Sequence, residues 1–300
     1  MKNFLFLFRI LSLLFISECA NKESSTIKDR VEEKYFLSVQ EYTGEGYTLA
    51  KGERNGEIAE EHSEEVDRAV KQYFKRNYQT KVKVHSIVGA VDGAIVFVES
   101  VGKPHFYSYA IISVDQQSET VDSTGVWSQE GQVGAAISSG LYTWIYEDEF
   151  QKLDQYLDGK VKEYPVVGIS EEANQNGVGN YHTTPYYKVV IYGGVVQEKL
   201  LNEYLENSDL PKDEWVNMLE GESINPAMVS VLIQLYMEEP GVEPNKEIFD
   251  QIVSDLSDMD GLPIGKYSFL LHDNTVDKTN GQNNKENTLE RKAPNYIIKR

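Results

Sequence analysis

Residues 82–101 read VKVHSIVGAVDGAIVFVESV, and β-branched side chains dominate both halves of this stretch. Asp92-Gly93 stands between the two halves. Two β-prone runs joined by Asp-Gly are typical of a hairpin with a two-residue type I′ turn, because that turn needs positive φ at both central residues. We therefore predict a hairpin closed at Asp92-Gly93, with Val84, Val96 and Val98 among its core contacts.

The hairpin belongs to a longer pattern of helix followed by strands. Apolar residues recur at three- and four-residue spacing over residues 58–78, which predicts an amphipathic helix. Residues 105–114 predict a third antiparallel strand, and residues 128–157 a second helical stretch. Together these elements predict an N-terminal unit, residues 41–168, built from a helix and a β-meander.

The rest of the chain is predicted to be a mixed, mainly helical part with two or three strands, so the fold class is α+β. A polar loop over residues 169–185 connects it to the first unit, and the C-terminal unit takes residues 186–300. Asn225 before Pro226 is typical of a helix start. The predicted helices are residues 196–205, 211–219, 226–237 and 244–259, and the predicted strands are residues 186–192, 267–272 and 296–298.

The N-terminus predicts export. Lys2 is followed by an apolar run over residues 4–16, and the only cysteine of the sequence, Cys19, stands at its exit. This order is typical of a secretory signal over residues 1–18, and the apolar run is shorter than the about 20 residues that span a bilayer. A lone cysteine at the exit of such a signal indicates a bacterial lipoprotein, in which that thiol is acylated. Residues 19–40 are then expected to be a flexible tether.

One residue complicates the lipoprotein interpretation. The position before Cys19 is Glu18, whereas the lipoprotein peptidase prefers a small residue there. An ordinary cleaved signal with a free thiol, or slow processing, therefore stays open. Lipidation is favoured, because an unpaired thiol in an exported chain otherwise has no purpose.

The charge of the chain limits its partners. The formal net charge at pH 7 is −19. Nucleic-acid binding depends on basic residues that displace phosphate counterions, so we expect no nucleic-acid partner. An acidic surface is also repelled by anionic lipid head groups, and attachment to the membrane must then come from a lipid on Cys19.

No motif predicts a metal or a cofactor. The five histidines are scattered without a ligand spacing. His85 alternates with Val82 and Val84 along its strand, which places its side chain on the opposite face, in solvent. We expect no cofactor, no metal and no catalytic residue of a known motif.

The best candidate for a ligand site is the loop from Asn174 to Tyr187. It is long and rich in amide, hydroxyl and aromatic groups, which suit a sugar or a peptide, and it lies at the junction of the two predicted units. An ordinary surface connection is the alternative. The candidate ligand residues are Asn180, Tyr181, His182, Thr183, Tyr186 and Tyr187.

Seven segments together resemble one known family, a group of lipoproteins from Gram-positive bacteria that is catalogued as a domain of unknown function. The segments are EYTGEGYTL (41–49), residues 82–111 with VGKPHFY at 101–107, VWSQEGQ (126–132), YPVVG (164–168), TTPYY (183–187), MDGLP (259–263) and NTLER (287–291). The resemblance implies a surface lipoprotein with Cys19 as the acylation site. It implies no catalytic residues.

Two classes of function remain open. The first is a non-catalytic protein on the outer face of the cytoplasmic membrane that binds a peptide, a glycan or a protein of the envelope. The second is an extracytoplasmic hydrolase that uses scattered carboxylates and His182. The lack of a recognisable nucleophile motif favours the first class.

Overall fold

The computed structural model describes residues 35–279, 281, 283 and 285–300. The predicted signal, Cys19 and residues 20–34 of the predicted tether lie outside the described residues. Residues 35–40 of the predicted tether belong to the fold, which therefore extends further toward the N-terminus than the sequence predicted. Its first strand, β1 (Phe36–Ser38), pairs antiparallel with β11 (Thr275–Asp277) near the other end of the chain.

The described chain combines helices with antiparallel and mixed sheets, which confirms the α+β class. The helices are α1 (Glu53–Glu61), α2 (Ser63–Tyr78), α3 (Gln132–Ile145), α4 (Glu147–Glu163), α5 (Glu171–Ala173), α6 (Gly194–Glu206), α7 (Lys212–Leu219) and α8 (Lys246–Asp258). The remaining strands are β2 (Val82–Ala90), β3 (Gly93–Ser100), β4 (Tyr107–Asp115), β5 (Thr120–Trp127), β6 (Val166–Val167), β7 (His182–Thr183), β8 (Tyr187–Ile191), β9 (Val229–Met237), β10 (Gly265–His272), β12 (Leu289–Arg291) and β13 (Ile297–Lys299).

The predicted hairpin is the centre of an antiparallel meander, β2–β3–β4–β5, whose fourth strand the sequence analysis missed. Ala90 pairs with Gly93, so the two connecting residues are Val91 and Asp92. None of these four residues has positive φ, and the predicted type I′ turn at Asp92-Gly93 is therefore wrong. Gly93 is required for space instead, because a Cβ atom there would lie 2.3 Å from the carbonyl oxygen of Ile112.

Two long helical stretches of the sequence are each divided in the structure. The predicted helix over residues 58–78 is divided at His62, whose backbone (φ −103°, ψ 22°) leaves the helical region. Tyr146 likewise separates α3 from α4 with φ −96° and ψ 34°. Both helical predictions hold in kind. The apolar residues on the two sides of His62 contact one core, which is why their pattern runs through the break, whereas α3 and α4 contact mainly two different cores.

The C-terminal part forms a seven-stranded mixed sheet in the order β12–β10–β9–β8–β7, with β13 beside β10 and β6 beside β9. Strands β9 and β10 are parallel, and α8 connects them. The predicted helix over residues 226–237 is wrong. Asn225 does accept a hydrogen bond from Ala227 N, as an N-cap does, but only the 3₁₀ turn Pro226–Met228 follows before β9 begins.

Three clusters of buried side chains hold the fold together. The meander core lies between the meander and helices α2, α3, α6 and α7, and includes Phe74, Val96 and Trp215. The sheet core lies between one face of the mixed sheet and helices α4 and α8. A small N-terminal core joins Val39 and Tyr42 to the other face of that sheet.

Candidate functional site

The loop over residues 169–185 is held between the meander and the mixed sheet. Tyr107 and Tyr181 exchange two backbone hydrogen bonds of 2.7 and 2.9 Å, which extends the edge of the meander into the loop. Gly177 has a φ of 123°, and a Cβ atom there would lie 3.1 Å from the ring of Phe97. The middle of the loop is therefore held against the meander at Gly177 and Tyr181.

A cavity of about 340 Å³ lies between this loop and the face of the mixed sheet that the sheet core does not use. We call it the loop cavity. From the N-terminal segment and the loop, its walls take Tyr47, Ile169, Asn174, Gly177, Val178 and residues 183–186. From the sheet and the following segment they take Tyr187, Lys188, Gln234, Tyr236, Gly281 and Asn283.

Three of the predicted ligand residues line the loop cavity. They are Thr183, Tyr186 and Tyr187. Tyr187 also packs in the sheet core, where its hydroxyl donates a 2.8 Å hydrogen bond to Asp154 Oδ1. The burial of Asp154 raises the pKa of its carboxyl group. Tyr187 is thus a structural residue that contributes to the cavity wall.

The other three predicted ligand residues lie beside the meander and not on the cavity wall. Asn180 accepts a hydrogen bond from Gln132, and Tyr181 packs against the meander core. His182 Nδ1 donates to the carbonyl oxygen of His105 at 3.0 Å, and the two rings are 5.9 Å apart. Burial lowers the pKa of His182 to about 4, so its imidazole is neutral near pH 7.

The prediction that the side chain of His85 lies in solvent is wrong. Its side chain is 6% exposed, and its Nε2 lies 2.8 Å from Glu99 Oε2. A register shift of the β2–β3 pair between Val84 and Ser86 interrupts the strand alternation on which the prediction depended. His105 Nε2 lies 2.9 Å from the other oxygen of Glu99. Burial raises the pKa of Glu99, but hydrogen bonds from the two histidines outweigh it and lower the pKa overall.

Lys188 is the residue of the loop cavity that sequence reasoning missed most clearly. It pairs with Leu232 of β9 in the middle of the sheet. Tyr187, Val189 and Ile191 face the sheet core, so strand alternation directs Lys188 to the opposite face, where the cavity lies. Burial lowers the pKa of Lys188. A lysine within an otherwise apolar strand was the available signal.

Two further cavity residues, Gln234 and Tyr236, were hidden by the wrong helix prediction for β9. Gln234 Nε2 donates to His272 Nε2 at 3.2 Å. Burial lowers the pKa of His272 to about 4, so its imidazole is neutral and can accept this bond. Every second residue from Val229 to Ile233 is β-branched, and this alternation in the sequence would have indicated a strand.

Two buried amide oxygens of the loop cavity have no hydrogen-bond donor. Asn174 is 2% exposed and Asn283 is 8% exposed. The Nδ2 of Asn174 donates to the carbonyl oxygen of Thr184 at 3.3 Å, and the Nδ2 of Asn283 donates to the hydroxyl of Tyr236. Both Oδ1 atoms are left without a partner.

Within the part of the chain that the structure describes, no group of three or more His, Cys, Asp or Glu side chains is arranged to hold a metal ion. The same described residues include no helix that is both long and apolar enough to cross a bilayer.

The fold and the sequence were each compared with known proteins. The chain is similar to the crystal structure of a DUF1672 family protein from Staphylococcus aureus, with a TM-score of 0.72 and 16% sequence identity. The superposition covers 89% of this chain and 98% of that one. No curated protein matches the sequence. The model of a family described as protein of unknown function (DUF1672) matches residues 29–299, and the chain therefore belongs to the DUF1672 family.

Proposed function

We propose that this protein is exported, is anchored to the outer face of the cytoplasmic membrane by a lipid on Cys19, and binds a ligand in the loop cavity without transforming it. The ligand comes from the cell envelope, as a peptide, a glycan or part of a protein. The loop cavity is the observation that carries the binding proposal.

The first nineteen residues support the anchor. A basic residue, a short apolar run and a cysteine follow each other in the order of a lipoprotein signal. The diacylglycerol that such a cysteine receives provides two acyl chains, and two chains are what stable membrane attachment requires.

The size and the chemistry of the loop cavity support binding. Its volume of about 340 Å³ lies in the range of small-molecule pockets. Its walls carry amides, phenol rings and one amine, which bind ligands by hydrogen bonds and ring contacts. Two of the amide oxygens are buried without a donor, and a bound ligand can supply one.

A hydrolase is the second candidate, and the cluster of His85, Glu99 and His105 favours it. Glu99 holds one imidazole on each of its oxygens, an arrangement that could orient His105 as a general base. His105 is 30% exposed and can be reached by a substrate. Hydrolysis of a model ester or peptide that is lost in Glu99→Gln would support this candidate.

The anchor is tested by mass spectrometry of the mature protein from a Gram-positive host. We expect a lipid-modified N-terminus at Cys19, and release of the chain or an uncleaved precursor for Cys19→Ala. Glu18→Gly should accelerate processing, because it removes the carboxylate from the position where the peptidase prefers a small residue. An unmodified thiol, or a mature chain that starts elsewhere, contradicts the anchor.

The binding site is tested by a thermal-shift screen with amino acids, dipeptides and sugars. Val178 lies on the cavity wall, and Val178→Phe fills part of the volume. Val195 is 69% exposed, so Val195→Phe is the matched control. Compounds that raise the melting temperature of the wild type should lose this effect in Val178→Phe and keep it in Val195→Phe. A compound that stabilises both variants equally binds elsewhere.

A further inference from the structure

The loop cavity holds an amine without an acidic partner. Lys188 lies on the cavity wall and is half-buried, and it has no hydrogen bond, ion pair or ring contact with any residue that the structure describes. Such an amine is unfavourable, because it loses part of its hydration and gains no partner in return. Burial is the single cause that lowers the pKa of Lys188, which is consistent with the lack of a nearby carboxylate.

The same cavity holds two acceptors without donors. The Oδ1 atoms of Asn174 and Asn283 are buried and unpaired, whereas the Nδ2 atoms of both side chains are occupied. The carbonyl oxygen of Thr184 can only accept, so it fixes the orientation of the Asn174 amide. The hydroxyl of Tyr236 can donate as well as accept, so it does not fix the orientation of the Asn283 amide. A ligand that completes this site must therefore donate to Asn174 and form a hydrogen bond with Asn283.

We propose that the loop cavity binds a small organic anion whose negative group contacts Lys188, whose N–H or O–H group donates to Asn174, and which forms a hydrogen bond with Asn283. This inference rests on the proposed binding function and defines the chemistry of its ligand. Amino acids and short peptides meet the requirement with a carboxylate and an ammonium group. Acidic sugars meet it with a carboxylate and hydroxyl groups.

The charge requirement is tested with acetate and its uncharged counterpart, acetamide. The probe is the Nζ resonance of Lys188 in the full mature chain, assigned by its disappearance in Lys188→Met. We expect a saturable shift of this resonance with acetate and none with acetamide. The affinity for acetate should fall as the pH rises through the pKa of Lys188, because only the ammonium form attracts the anion.

Matched variants separate Lys188 from the general charge of the protein. Lys188→Met should weaken acetate binding at least tenfold, measured by calorimetry. Lys83 is exposed on β2, so Lys83→Met should leave binding unchanged. Equal effects of acetate and acetamide, or unchanged binding in Lys188→Met, would overturn the inference of an anion.

The donor requirement is tested by comparing acetate with alanine, dialanine and glucuronate. At least one of these should bind ten times more tightly than acetate, and Asn174→Ala should remove that gain. Asn207→Ala, on the surface, is the control. Tighter binding of alanine or dialanine identifies the amino-acid class, and tighter binding of glucuronate identifies the acidic sugars. If none binds more tightly than acetate, the donor requirement is wrong.

This inference and the proposed function fail in different ways. A ligand that depends on Val178 but is uncharged and indifferent to Lys188→Met would leave the binding site in place and refute the anion. A shift of Lys188 by acetate in a protein that is not processed at Cys19 would refute the anchor and leave the anion site in place.

Discussion

The two faces of the mixed sheet differ sharply. On one face, β8, β9 and β10 present Val189, Ile233 and Phe269 to α4 and α8, and all three are fully buried in the sheet core. On the other face, the same strands present Lys188, Gln234 and His272 to the loop cavity and its surroundings. One sheet thus has an apolar face and a polar face, although both are covered.

The comparison teaches which face stabilises the protein and which one the proposed ligand would contact. Burial of apolar surface contributes roughly 25 cal/mol per Å², so the apolar face stabilises the fold. Buried polar groups without partners have the opposite effect, each costing about 1–3 kcal/mol. Such groups at the loop cavity agree with the proposal that this face binds a ligand at the expense of stability.

The largest expected change in stability comes from a substitution in the apolar face. Phe269 is fully buried and stacks on Phe249 with ring centroids 5.3 Å apart. Phe269→Ala should lower the free energy of unfolding by about 3–5 kcal/mol, because it removes buried apolar surface and leaves a cavity. Urea denaturation measures this loss. Ile298→Ala, at a 45% exposed position of β13, is the control and should change the free energy by less than about 0.5 kcal/mol.

A pH titration tests the polar face next. His272 has a pKa of about 4 in the folded protein and about 6.5 when unfolded. The unfolded state therefore binds more protons in this window, and stability falls as the pH decreases from 6.5 to 4. His272→Gln should remove about 3 kcal/mol of this pH dependence, as seen by urea denaturation at several pH values.

Asn207→Ala provides the control for that titration. Asn207 is exposed, follows α6 and carries no titratable group. This substitution should keep the pH dependence of the wild type. Equal slopes for the wild type and His272→Gln would show that His272 is not held neutral by the polar face.

Removal of the cavity amine should stabilise the empty protein. Lys188→Met keeps most of the side-chain volume and removes the unpaired amine, and we expect a gain of about 1–3 kcal/mol at pH 7. Because the folded pKa of Lys188 is lowered, this gain should shrink as the pH rises toward about 10.4, the value for an unfolded lysine. A loss of stability in Lys188→Met would show that the wild-type amine has a stabilising partner.

The smallest effect concerns a second lysine on the polar face. Lys266 Nζ lies 5.3 Å from the ring centre of Tyr192 and 5.4 Å from that of Tyr296. Lys266→Met should therefore cost about 0.5–1 kcal/mol through lost cation–π contacts, opposite in sign to Lys188→Met. Thermal denaturation of both variants compares the two lysines. If both substitutions change the stability in the same direction, the distinction between a paired and an unpaired lysine on this face is wrong.

Local patterns in the sequence predicted the helices and strands that have a clear hydrophobic period within their own residues. The meander, the amphipathic helix after residue 58 and the strand at β10 each have a clear period of their own. Strand β9 was missed because Asn225-Pro226 is a strong local helix start, and the neighbours that turn the following residues into a central strand are distant in sequence. The break at His62 was missed for a similar reason.

The candidate site was predicted only in part. The loop was chosen for its composition, and Thr183, Tyr186 and Tyr187 do lie at the loop cavity. Tyr181 pairs with Tyr107 of the meander, and the chain enters the mixed sheet at His182, whose ring contacts His105 and not the cavity. Whether the loop binds a ligand remains a prediction.

The sequence by itself determined the α+β class, the position of the central hairpin and the family, because periodicity and family motifs are properties of contiguous residues. Only the tertiary structure decided that β9 is a strand, that it lies parallel to β10, and that Lys188 faces a cavity with Asn174 and Asn283. These features depend on which distant segments meet. The burial of a group and the presence of its partner follow from packing, and no local pattern along the chain specifies either.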